Sequence, residues 1–221
     1  MLVDDYRHQG LRRRLVEEIK RKGISDPGVL AAIGKVPRHR FIDDSAFLAM
    51  AYQDQAFPIG CGQTISQPYT VAFQSQLLGA MKGEKVLEVG TGCGYQTAVL
   101  AELGARVFSI ERHRLLHMDT KRRLGDLGYR ATLIYGDGYK GAPVEAPFAR
   151  IIVTCGAPEV PQALLQQLRV GGVLVVPVGA GAVQRMLRIT RTGTATWDTQ
   201  EHGAFSFVPM LAEKEAGGNS L

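Results

Sequence analysis

Three groups of residues in this chain have the types and spacing that suit ligand chemistry. The first is the glycine run in "VLEVGTGCGYQTAVLA", where Gly90, Gly92 and Gly94 surround Thr91 directly after a strand-like apolar stretch. Glycines at the carboxyl end of a strand let backbone approach a ligand with no Cβ in the way. A helix that follows offers unpaired N–H groups to a carboxylate or a phosphate. The second is Glu111, closing the next strand in "VFSIER". An acid there can accept from both hydroxyls of a ribose. The third is "GDG" at 136–138, where Asp137 can accept from an adenine amino group and Gly138 allows a close turn. Each has a plainer reading: a strand-to-helix turn, a helix N-terminal acid, an Asp-Gly turn. All three in order, each ending a strand, outweigh those readings.

The spacing narrows the ligand. Dinucleotide folds prefer G-x-G-x-x-G, and here the third glycine comes one residue early. G-x-G-x-G suits a ligand without a pyrophosphate, such as S-adenosylmethionine.

A fourth stretch, "QTISQPYT" at 63–70, is polar between apolar neighbours. Ser66 or Thr64 fits as the N-cap of a helix entered at Pro68. A hydroxyl in that place can also face a ligand. Two proline-bearing segments, "FPIG" (57–60) and "FVP" (207–209), carry backbone that could pair with an extended peptide. The five histidines are scattered, and Cys61, Cys93 and Cys155 form no CxxC pair, so no metal is expected. An odd count of separate cysteines fits reduced thiols in a cytoplasm.

The elements that must position these residues follow from periodicity. Leu11, Leu15 and Ile19 mark an amphipathic helix ending near Gly23. "SDPGVLAAIGKV" reads as a second, capped by Ser25 or Asp26, and "VAFQSQLLGAM" as a third. From residue 85 strands and helices alternate, through "VPQALLQQLRVGG" as the last helix and "VLVVPVG" as its strand. That alternation predicts an α/β Rossmann-like, doubly wound, mostly parallel sheet. Turn signals at Thr192-Gly193 and His202-Gly203 predict antiparallel strands finishing the edge. The expected organisation is one domain. Residues 1–80 form a helical extension with the polar segment, 81–180 the ligand-binding core, 181–211 the C-terminal strands and 212–221 a flexible tail.

The length of 221 residues and 45% hydrophobic content can fill one core, and no apolar run is long enough to span a bilayer. The N-terminal sequence has no apolar signal-peptide core, so secretion is not expected. A net charge of +5, mixed with acids along probable helix faces, is too mild for a nucleic-acid footprint. The chain is read as cytoplasmic, bound to neither membrane nor nucleic acid, and monomeric.

"VPRHRF" (36–41), "AYQDQAFPIGCGQTISQPYTVA" (51–72), "KVLEVGTGCGYQTAVLA" (85–101), "GDGYKG" (136–141), "VPQALLQQLRVGGVLVVPVG" (160–179) and "FVPM" (207–210) run in order along nearly the whole chain. On these segments the chain resembles the protein-L-isoaspartate O-methyltransferase family. The resemblance implies a class I methyltransferase fold and methyl transfer from S-adenosylmethionine to the free α-carboxylate of isoaspartyl residues in damaged proteins and peptides. It implies that "TISQPY" is the acceptor side, with Ser66 as the aligning hydroxyl. Thr64, Ile65, Gln67, Ile59 and Val208 would shape the substrate pocket, and the glycine loop, Glu111, Asp137 and Gly138 would hold the cofactor. Three residues depart from the family pattern: Cys93 for Ser, Ala149 for Asp, and Cys61 before "GQTIS". The competing function is another class I methylation, of a small molecule or a nucleic acid. A non-catalytic adenosyl-ligand binder is the third reading. No Asn-Pro-Pro-Tyr-like motif for base methylation is present.

Overall fold

A computed structural model describes residues 4–215. The chain opens with α1 (Tyr6–Arg21), capped by Asp5, and α2 (Pro27–Lys35), where Asp26 Oδ1 accepts from Val29 N at 2.9 Å. A 3-10 turn at Arg38–Phe41 and a short α3 (Ser45–Leu48) follow. Next comes a hairpin of β1 (Phe57–Gly60) and β2 (Gln63–Ile65), then α4 (Pro68–Leu78). Its two-residue turn is Cys61-Gly62, both at positive φ, which matches the twist of paired strands.

The alternating region gives β3 (Lys85–Val89), α5 (Tyr95–Glu102), β4 (Arg106–Glu111), α6 (Arg114–Asp126), β5 (Ala131–Tyr135) and β6 (Phe148–Val153). It ends with α7 (Gln162–Gln166), β7 (Leu168–Val178), β8 (Gln184–Arg191) and β9 (Trp197–Phe205). The sheet runs β5-β4-β3-β6-β7-β8-β9, parallel through β7 and antiparallel for the last two strands. This is the expected Rossmann-like sheet. The chain reverses its direction of winding between β3 and β6. A crevice therefore opens outside the carboxyl ends of those two strands, where open α/β sheets bind ligands.

Several details differ from the sequence expectations. The last helix is one short turn, because "LRVGG" continues as strand into β7. His202-Gly203 is a bulge inside β9, not a turn: Gly203 takes φ 85° and the register slips between Arg185 and Leu187. The reversal lies at Thr192, whose N–H donates to Thr196 O at 2.9 Å. Of the tail expected from 212, residues 213–215 are tied down: Arg112 Nε donates to Glu213 O, and Glu215 N to Arg112 O. Residues 216–221 lie outside the described part. Among the described residues no helix is long and apolar enough to cross a membrane.

α4 is buried on nearly every side, between α2 and the β6–β7 face of the sheet. It carries the polar segment of 63–70 straight into the core. A core of Leu15, Ile19, Ile33 and Phe41 holds the N-terminal helices to α4 and α5.

β3 places one carboxyl in this interior. Glu88 is fully buried, and Thr97 Oγ1 donates to its Oε2 while Oε1 has no hydrogen-bond partner among the described residues. Burial pushes its pKa up from 4.5 to about 8, so the folded protein holds it neutral at pH 7. In the unfolded chain the same group ionises near its ordinary value. Its contribution to stability is therefore complete below about pH 4.5 and is lost as pH rises toward 8. Glu88→Gln keeps an acceptor for Thr97 and removes the proton. Urea unfolding should show the stability of this variant relative to the parent increasing from pH 5 to pH 8. A difference that stays constant over that range rules out a neutral Glu88.

Candidate active site

The glycine loop is held on three sides. Gly92 N donates to Glu111 Oε2 at 2.8 Å, Gly92 O accepts from Thr120 Oγ1 at 2.6 Å, and Cys93 O accepts from Arg123 Nη1 at 3.2 Å. Arg123 is itself fixed by Asp43. Thr91 Oγ1 and Ser109 Oγ share a buried hydrogen bond of 2.6 Å, which ties the loop to β4. Glu111 spends its other oxygen on His113 N, also at 2.8 Å. It thus braces both the loop and the start of α6. Each of its oxygens keeps a lone pair for a further donor.

A cleft of about 790 Å³, counting its mouth, lies at the carboxyl ends of β3, β4, β5 and β6. Gly90, Thr91, Gly92, Glu111 and Gly138 line it, and so do Thr64, Ile65, Ser66 and Val208 from outside the core. Four expected residues do not. Gly94 packs against α6, where a Cβ would stand 2.7 Å from Thr120 Cγ2. Asp137 turns its carboxylate back to Tyr139 N at 2.9 Å, as a local cap. Ile59 covers the loop from the hairpin, its Cδ1 3.3 Å from where a Gly92 Cβ would stand. A side chain at Gly92 would therefore meet the hairpin, while the backbone of Gly92 lines the cleft. Gln67 reaches Asp54 Oδ2 at 2.9 Å and lines a second cleft instead.

That second cleft lies between α4 and the 204–208 segment. Tyr69, Phe205 and Phe207 form part of its wall, and no charged side chain lines it. Thr64, Ser66, Thr154 and Val208 border both clefts. The backbone at 207–208 is partly committed already: Phe207 N donates to Gln184 Oε1 and Val208 O accepts from Gly156 N. β1 is paired on one edge with β2.

Ser66 and Thr64 are not helix caps. Gln67 occupies the cap position of α4 without a side-chain bond, and Asp54 Oδ1 takes the orphan N–H of Tyr69 at 2.7 Å. The Ser66 hydroxyl makes no hydrogen bond among the described residues, while Ser66 O accepts from Arg38 Nη2 at 3.2 Å. Arg38 also holds Ala51 O at 2.6 Å and Gln55 O at 2.7 Å. It is fully buried between the rings of Phe57 and Tyr95.

The family model described as protein-L-isoaspartate(D-aspartate) O-methyltransferase (PCMT) matches residues 10–215. This chain belongs to that family. Relatives agree over their whole length. The protein-L-isoaspartate O-methyltransferase of Christiangramia forsetii is 61% identical over 96% of this chain and 100% of its own. That of Flavobacterium psychrophilum is 55% identical with the same coverage, and that of Salinibacter ruber 49% over 96% of each. A solved protein-L-isoaspartate O-methyltransferase superposes with a TM-score of 0.81 at 30% identity, covering 94% of this chain and 66% of that one. A second, from Plasmodium falciparum and solved with S-adenosyl-L-homocysteine, superposes with a TM-score of 0.79 at 24% identity, over 90% and 98%.

The three departures from the family pattern fall in different settings. Cys93 is buried in the cleft wall, where a thiol replaces a hydroxyl of similar size. Ala149 is buried in β6 at a register shift against β7. Cys61 is exposed at the hairpin turn with φ 51°.

Sequence reasoning gave no role to Arg38 or Asp54. Arg38 sits in the quoted "VPRHRF", but its three carbonyl partners are loop backbone far along the chain. Asp54 caps a helix 15 residues away, so no local capping pattern marks it.

Glu111 is the place to test the cofactor end. Glu111→Gln leaves one acceptor oxygen for two backbone donors and turns an NH₂ toward one of them. Calorimetry should show S-adenosylhomocysteine binding weakened by about 1–3 kcal/mol. An unchanged dissociation constant in a folded variant would limit Glu111 to bracing the loop.

Proposed function

We infer that Ser66 aligns the acceptor in this chain's reaction. That reaction is the one of its family: S-adenosylmethionine-dependent methyl esterification of the free α-carboxylate of L-isoaspartyl residues, which initiates repair to aspartyl. The observation that carries the Ser66 assignment is its position: an unengaged hydroxyl on the wall common to two clefts.

The first cleft fits the cofactor. Glu111 has lone pairs for ribose hydroxyls, Val89, Ile110 and Met210 offer apolar walls, and α5 begins with no side-chain cap on its N–H groups. When bound, S-adenosylmethionine supplies an electrophilic methyl group on a positively charged sulfur. The residues around the second cleft then set the acceptor. Its carboxylate is already ionised at neutral pH, so no general base is needed. What it needs is alignment and partial removal of water. The Ser66 hydroxyl donates one hydrogen bond and orients an oxygen toward the first cleft. A lysine or arginine there would hold the carboxylate more tightly and lower its nucleophilicity. Thr64 and Val208 narrow the passage, and Gln67, held by Asp54, shapes the far side.

On this reading residues 1–80 deliver the acceptor segment, 81–180 bind the cofactor and 181–211 complete the acceptor wall. The protein acts as a cytoplasmic monomer on isoaspartyl proteins and peptides, with no nucleic-acid or membrane partner. Its mild, mixed surface charge supports that setting.

Ser66→Ala should slow methylation of an isoaspartyl peptide while leaving S-adenosylhomocysteine affinity nearly intact. The barrier should rise by about 1–3 kcal/mol, the worth of one or two hydrogen bonds. Total loss is not expected, since the sulfonium supplies the reactivity. Ser66→Thr should also lose rate, because its methyl crowds the passage. The rate–pH profile should lack the inflection near pH 6.5 that a histidine base would give. Full activity of Ser66→Ala on isoaspartyl peptide, in a folded protein, would move the acceptor site elsewhere.

A further inference from the structure

Gln96, in the first turn of α5, lines the cofactor cleft and is buried to 6% exposure. Its Nε2 donates to Ser75 Oγ at 2.9 Å, and Ser75 Oγ donates to Val71 O at 2.8 Å. Because the Ser75 hydroxyl spends its proton on Val71, it can only accept from Gln96. That fixes the orientation of the amide: NH₂ toward α4, oxygen away from it. Gln96 Oε1 has no partner among the described residues. An unpaired buried amide oxygen is costly, and the donor it lacks has to come from what occupies the cleft.

The position identifies the donor. Glu111 is the one carboxylate among the cleft-lining residues, and both its oxygens lie at the β4 end, on Gly92 N and His113 N. Gln96 stands at the α4 end, bonded to α4 one turn beyond Val71, which also lines the cleft. With the ribose at Glu111 and the methyl facing Ser66, the amino-acid portion of the cofactor extends to this end. Its ammonium group is purely a donor and an amide oxygen purely an acceptor. The neighbouring Tyr95 Oη, also buried without a partner, carries a proton of its own and is the poorer match. We propose that Gln96 Oε1 accepts a hydrogen bond from the α-ammonium of the cofactor, with Ser75 as the residue that positions it. The proposal rests on the S-adenosylmethionine reading of the cleft.

Calorimetry with three ligands tests it: S-adenosylhomocysteine, its desamino analogue that keeps the carboxylate, and 5′-methylthioadenosine, which lacks the amino-acid portion. Gln96→Leu should weaken S-adenosylhomocysteine by roughly 10-fold or more and leave the other two unchanged. Ser75→Ala retains the oxygen but frees the amide, so it should give a smaller loss with the same selectivity. It also serves if Gln96→Leu does not fold. Equal weakening of all three ligands, or of none, overturns the assignment. So does a loss shared by the desamino analogue, which would make the carboxylate the contact. A parent protein that binds none of the three would instead remove the cofactor reading itself.

Discussion

Arg38 is a buried cation with no ion pair among the described residues, and the segment that carries Ser66 is organised around it. Burial drives its pKa down, and its charge is met by three backbone carbonyls and two aromatic faces. A carboxylate partner would have satisfied the charge at one point. Carbonyls satisfy it only by gathering chain from several places, here Ala51, Gln55 and Ser66. Removing the guanidinium would leave those buried carbonyls unpaired, at a cost of several kcal/mol. The position of the Ser66 hydroxyl thus depends on a residue of the N-terminal extension. This explains why "VPRHRF" and "TISQPY", distant in sequence, belong to one device.

The cofactor half uses the opposite strategy. Its loop is fixed by backbone groups bonded to side chains from β4 and α6, so the fold of the core sets the loop before any ligand arrives. The side-chain cost is concentrated at Glu111, which serves the loop and α6 with one oxygen each. Thr154 locks the other flank, donating to Gly90 O at 2.6 Å. A Cβ at Gly90 would stand 2.5 Å from that hydroxyl, so the first glycine is needed for the lock as well as for the turn. Pre-setting the site in this way reduces the ordering that binding must supply.

The contrast governs what the sequence could reveal. The alternating sheet, and the placement of the glycine loop and Glu111 on one cleft, were legible because each depends on contacts close in sequence: strand, tight turn, helix, next strand. Gly94 and Asp137 share that signature but serve packing and capping, a distinction set by what lies opposite them in space. The β1–β2 hairpin was hidden because four- and three-residue strands leave too little periodicity to read. The roles of Asp54 and Arg38 rest on partners far along the chain, for which no local pattern exists. His202-Gly203 looked like a turn because the same positive φ serves a turn or a bulge, and only the pairing with β8 decides.

One demand follows from placing a methyl donor in a cleft walled by cysteine. A thiolate is a far better nucleophile toward a sulfonium than a carboxylate is, and Cys93 and Cys155 both line the first cleft, proposed above for the cofactor. Burial pushes Cys93 up to about 11 and Cys155 up to about 12, so both remain thiols at neutral pH. Tyr95, in the same wall, is pushed upward for the same reason and stays a phenol. Burial thus keeps these three wall groups protonated, while a substrate carboxylate is ionised at neutral pH. The same burial that shapes the cleft wall silences the competing groups. A cysteine in place of the family's serine at position 93 is compatible with methyl transfer on that condition: the wall has to stay dry.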